Sequence, residues 1–187
     1  MRVLGLAGVL LYAALFFAGC CDINGRNEEN ISGGLAGALR ELVAGVEGIN
    51  SAGEDDYSAI SSFKAKIRAC LENISNDEEA QAVSERFLDL IIADEDVVAA
   101  DYYLIWLGNA VLTEYPSKES AKLHRLVDKA NNAESAIGDE AHAEWVMMVA
   151  DLLQELLPQN SGNNAFIVDG KLDQEQWRNV GKMIDDR

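Results

Sequence analysis

The stretch Asp96–Glu114, DVVAADYYLIWLGNAVLTE, decides the fold. Val97, Val98, Tyr102, Leu104, Ile105, Leu107, Val111 and Leu112 leave almost no polar face on a helical wheel. A helix that is apolar nearly all round belongs at the centre of a core. It is not a membrane span, because Asp101 and Gly108-Asn109 interrupt the run and acidic residues flank it. Asp101 is expected on the single exposed stripe of this helix. Burial is the alternative, and it would demand one of the chain's few bases or a tyrosine hydroxyl as partner.

A buried helix needs amphipathic neighbours, and the flanking segments supply them. Upstream, residues 77–93 place Val83, Phe87, Leu90 and Ile91 on one face, with Ser75-x-x-Glu78 matching a capping box. Residues 55–73 align Tyr57, Ile60, Phe63 and Ile67, followed by Leu71 and Ile74, with Cys70 beside that face. Residues 33–48 align Leu35, Leu39, Leu42, Val43 and Val46, weakened by glycines 33, 34, 37 and 45, each costing up to ~1 kcal/mol in a helix interior. Downstream, residues 118–137 align Leu123, Leu126, Val127, Ala130 and Ile137, with Gly138 as a stop. Residues 139–157 carry Trp145, Met148, Val149, Leu152, Leu153 and Leu156, ended by Pro158. A last helix starts near Asp173-x-x-Gln176 and aligns Trp177, Val180 and Ile184. Strand-like alternation is confined to about residues 165–172.

The expected fold is therefore all-α, a compact bundle of about six or seven helices. Composition agrees. Two prolines in 187 residues interrupt few helices, and 49% apolar residues suffice for a core. The formal charge of −17 repels phosphate backbones, which argues against nucleic acid and favours a basic partner or cations. Acidity that merely keeps the chain soluble is the plainer explanation.

The N-terminus carries the most specific signal. After Arg2, the run Val3 to Gly19 holds no charge, and its apolar core of about 15 residues is short for a bilayer span and right for a signal peptide. It ends in Phe17-Ala18-Gly19-Cys20. This segment resembles the lipobox of bacterial lipoproteins, in which small residues precede an obligatory cysteine. The resemblance implies a signal peptide over 1–19, removed on maturation, and a lipid-modified Cys20. Residues 20–32 would form the lipidated N-terminus and a flexible tether, and 33–187 the helical domain. Acyl chains at ~0.8 kcal/mol per buried methylene would then hold the protein on a cell membrane, facing the periplasm or exterior. An ordinary secretory signal and an uncleaved anchor helix are the competing readings. The inner-membrane retention pattern wants aspartate directly after the lipidated cysteine. Here Cys21 takes that place and Asp22 comes one later, so neither inner nor outer membrane is assigned.

Candidate chemistry is sparse. Cys70 reads as a small buried hydrophobe, or as one half of a disulfide with Cys21 in an oxidising envelope. His142, with Asp139 and Glu144, is the one acid–base grouping near an apolar helix, and His124 flanks the face of the preceding helix. Tyr102, Tyr103, Trp106 and Trp145 are aromatic candidates for lining a pocket, or else core. Val168 to Trp177 resembles the middle of a calcium loop, with Asp169, Asp173 and Glu175 as oxygen donors. Ala165 and Ile167 fall at the first and third ligand places, however, leaving too few oxygens. The segment then reads as a turn before a capped helix. No metal centre, no cofactor motif and no catalytic signature is expected. The reading is a membrane-anchored lipoprotein that binds another envelope protein with a basic surface. A small-ligand or cation-binding helical lipoprotein, and an envelope enzyme without a recognisable motif, are the alternatives.

Overall fold

The computed structural model describes residues 31–53, 55–156, 167–168, 171–172 and 184–185. Among them are six helices: α1 (Gly33–Asn50), α2 (Tyr57–Glu72), α3 (Asp77–Ile91), α4 (Ala99–Glu114), α5 (Ser120–Asn132) and α6 (Asp139–Leu156). The fold is an all-α bundle. The consecutive pairs α1–α2 and α3–α4 pack most extensively, and α6 packs on α4. Beyond the helices, β1 (Ile167–Val168) and β2 (Lys171–Leu172) pair antiparallel, Ile167 opposite Leu172. Of the expected last helix, Ile184 and Asp185 are described; both are helical and Ile184 is buried.

Helix α4 is central, as its sequence demands. It touches α1, α2, α3 and α6 and buries Ala100, Asp101, Leu104, Ile105, Gly108, Val111 and Leu112. Around it close Phe63 and Ile67 from α2, Phe87 and Ile91 from α3, and Trp145, Val149 and Leu153 from α6. Each fully buried Leu, Ile or Phe is worth ~1.5–3 kcal/mol against exposure. Gly108 is required by closeness. A Cβ there would lie 2.6 Å from the Phe87 ring, so α3 and α4 approach along a surface that only glycine leaves open.

Helix ends set the bundle's edges. Ser32 caps α1, its Oγ accepting from the Leu35 N–H at 3.4 Å. Asn76 caps α3 by accepting the Glu79 N–H at 2.9 Å. The carboxylate that reaches back is Glu79, not Glu78, and it accepts the Ser75 N–H, one residue before the cap. The helix begins at Asp77, so its third residue is one later than the spacing from Ser75 suggests, and Glu78 faces solvent.

Three further expectations are corrected. Asp101 is not on the exposed stripe of α4: that stripe runs through Trp106, Asn109 and Ala110. Asp101 lies three, four and seven residues before Leu104, Ile105 and Gly108, on the same buried face. Tyr57 is 76% exposed, because it is the first residue of α2 and projects past the packed surface. Helix α5 stops at Asn132, five residues short of Ile137. Residues 133–136 turn extended, and the backbones of Val97 and Ser135 form a parallel bridge. Val97 donates to the Glu134 carbonyl at 2.9 Å, and Ala136 donates to the Val97 carbonyl at 3.0 Å. Gly138, with φ of 81°, belongs to the start of α6 and not to the end of α5; His142 donates its N–H to the Gly138 carbonyl.

Candidate ligand cleft

That bridge borders a cleft among the described residues. By drawing residues 133–138 onto Val97, it stands Ile137 opposite the start of α4. The C-terminal end of α1, Ile60 of α2, the first turns of α4 and α6, and residues 136–138 then enclose a cleft of about 530 Å³. Ile49, Ile60, Val98 and Ile137 form apolar walls, with the rings of Tyr102 and Tyr103 between them. Asp139, Glu140 and Glu144 supply carboxylates, all exposed.

The aromatic side is held in place. The Tyr102 hydroxyl donates to Glu144 Oε2 at 2.8 Å, and burial plus that bond push the phenol up to about 12. Tyr102 meets Tyr103 edge-on, with centroids 5.3 Å apart. The Lys64 ammonium lies 4.9 Å from the Tyr103 centroid and 4.6 Å from that of Trp106. The start of α4 is closed by Asn50, whose Oδ1 accepts the Ala100 N–H at 2.9 Å.

Behind the cleft, on the buried side of α4, lies an ion pair. Asp101 Oδ2 is 2.7 Å from Lys129 Nζ, with Asp101 fully buried and Lys129 nearly so. The same oxygen accepts the Val98 N–H at 2.9 Å, and Lys129 also donates to the Ile91 carbonyl at 2.6 Å. The pair thus joins the start of α4 to the end of α3. Arg125 adds a bond to the Ile92 carbonyl at 2.7 Å. Among the described residues Asp101 Oδ1 has no hydrogen-bond partner. Burial pushes the carboxyl up to about 7, against the opposing pull of Lys129 and of the Val98 N–H.

The residues singled out by sequence are distributed as follows. Tyr102 and Tyr103 line the cleft, but Trp106 lies on the exposed face and Trp145 is core. Asp139 and Glu144 reach the cleft, but His142 does not. Its ring stacks on Trp145 at 6.4 Å, with Nε2 buried and meeting no partner among the described residues, so the three do not assemble into an acid–base set. His124 Nε2 meets Asp185 Oδ1 at 3.0 Å in an exposed contact. Cys70 is a free, fully buried thiol, pushed up to about 11 by burial. Cys20, Cys21, Asp169, Asp173 and Glu175 lie outside the described residues.

Sequence reasoning missed Lys129 and Glu79. Lys129 was findable, since it sits three residues after Leu126 and next to Ala130 on the apolar face of α5. Glu79 accepts from the Ser32 N–H at 2.8 Å and from the Ser75 N–H and hydroxyl at 2.8 and 2.6 Å. It therefore ties the starts of α1 and α3. The Ser75 hydroxyl and the backbone bonds hold its carboxyl down at about 2.

These features define a class: an acidic all-α protein with a cleft of aromatic rings and carboxylates at one end of its central helix. No family model, curated protein or solved structure matches the chain.

Proposed function

We propose that this chain is a bacterial lipoprotein whose acidic helical domain acts as a non-enzymatic protein-interaction module in the cell envelope. The observation that carries the reading is Ala18-Gly19-Cys20 at the end of the uncharged run from Val3. Acylation of Cys20 would place the domain at a membrane surface, tethered by the polar residues that follow. No described helix is long and apolar enough to cross a membrane, so the described residues contribute no second attachment of that kind. The charge of −17 supports a basic partner, because opposite fields speed encounter and orient docking.

The test has two parts. Cells fed an alkyne-tagged palmitate should label the protein, and Cys20→Ala should abolish the label and move the protein to the soluble fraction. Retention of the variant in membranes sinks the anchor. Cross-linking in intact cells, followed by detergent extraction, should yield a stoichiometric partner whose binding weakens as salt rises. An absent or salt-insensitive partner counts against the interaction module. A second reading, a ligand-binding helical lipoprotein, is favoured by the cleft at the start of α4.

A further inference from the structure

We infer that this cleft is a binding site for an organic cation, an ammonium or guanidinium group carried on an apolar stem. The inference rests on the ligand-binding reading and is independent of the lipid anchor. Size comes first: about 530 Å³ falls within the range of small-molecule sites, about 300–1,000 Å³.

The sign of the field comes next. Three carboxylates face the cleft, and no Lys, Arg or His is among the described residues lining it. The first turns of α4 and α6 oppose this, since two helix N-termini together offer about one positive charge. They do not win. At α4 the Ala100 N–H is taken by Asn50 and the Val98 N–H by Asp101, and at α6 the acids Asp139 and Glu140 occupy the first turn. The balance is negative.

The walls define the ligand's body. Ile49, Ile60, Val98 and Ile137 would cover an apolar stem, Tyr102 offers its ring to the charge, and Tyr103, already under the Lys64 ammonium, adds wall. Glu144 is fixed beside one of those rings by the Tyr102 hydroxyl, so carboxylate and aromatic face are pre-arranged together. The chain already uses this chemistry next door, where Lys64 lies over Tyr103 and Trp106. A bare metal ion is a poorer occupant. Among the described residues no three His, Cys, Asp or Glu converge closely enough to hold one, so the carboxylates act as separate charges around a larger cation.

The experiment uses the full-length protein, produced with its own leader and extracted in mild detergent, with isoleucine methyls labelled for NMR. Titration with 2-phenylethylammonium chloride should shift the methyls of Ile49, Ile60 and Ile137 saturably. The neutral isostere 2-phenylethanol should bind about tenfold more weakly, the equivalent of 1.4 kcal/mol. Glu144→Gln should weaken the amine about three- to fivefold, as expected for an exposed charge pair, with the alcohol unaffected. Nα-acetyl-lysine methylamide presents the same ammonium as a protein side chain. Binding as tight as the amine's assigns the cation to a partner protein, and binding of the free amine alone assigns it to a small molecule; either supports the site. Equal affinity for amine and alcohol overturns the cation inference while leaving a ligand cleft. Silence of all three methyls overturns both.

Discussion

Asp101 and Lys129 meet at 2.7 Å inside the bundle, and each also serves a helix end: Asp101 the start of α4, Lys129 the end of α3. The pair thus clasps three helices, Lys129 reaching from α5 to the end of α3 and to Asp101 of α4. Asp101 Oδ1 meets no hydrogen-bond partner among the described residues. Removing one partner leaves the other buried without its counterpart. Lys129→Met should cost about 3–5 kcal/mol. The double change Asp101→Leu with Lys129→Met should cost less than either single one, because it removes both charges and strands only the Val98 N–H and the Ile91 carbonyl. Urea unfolding of the three variants measures this, and an additive double variant would refute it.

Stability should depend on pH through two carboxylates acting in opposite senses. Glu79 is held at about 2, below its ordinary 4.5. Its contribution is present above 4.5 and is lost as pH falls toward 2. Asp101 is raised from 3.8 to about 7, so the folded state keeps a proton that the unfolded chain releases. Its contribution is full below 3.8 and is lost as pH rises through 7. Glu79→Gln should flatten the acid limb alone, and Asp101→Asn the limb between 3.8 and 7 alone. Thermal melts across pH provide the readout.

Glycines of the same type should respond with opposite signs. Gly37 lies inside α1 with open space where a Cβ would go. Gly37→Ala should stabilise by about 0.5–1 kcal/mol through helix propensity. Gly108→Ala meets Phe87 at 2.6 Å and should destabilise by about 1–3 kcal/mol, because a close-packed core has to shift. A rise in melting temperature for both would show that α3 and α4 are less closely apposed.

Cys70 should behave as a core residue. Its thiol is fully buried and pushed up to about 11, which leaves little thiolate at neutral pH. Iodoacetamide should modify it only in denaturant, and at a rate that follows global unfolding. Rapid labelling of Cys70 in the native protein would contradict its burial.

The path from sequence to structure was clearest where one physical signal acted alone. The all-round apolar character of Asp96–Glu114 marked α4 as central, and the apolar periods on either side marked its neighbours, with most boundaries within three residues. Tertiary pairing overrode local pattern at residues 133–137. Ile137 fits the period of α5, but the backbone there gains hydrogen bonds from Val97 that a longer helix would forgo. Part of the cleft was legible, since Tyr102, Tyr103, Asp139 and Glu144 were all singled out. Ile60 and Ile137 were read as core-facing positions and Ile49 was not named, because what makes them cleft walls is the meeting of segments distant in the chain.

By itself the sequence determined the helical class, the identity of the central helix, and the acidic surface. Each follows from composition and period, which are local properties of the chain. Only the tertiary structure decided that Asp101 is buried against Lys129, that Glu79 ties two helix starts, and that rings and carboxylates share one cleft. Those depend on which faces meet across 28, 47 and 42 residues of chain, and no periodicity encodes that distance.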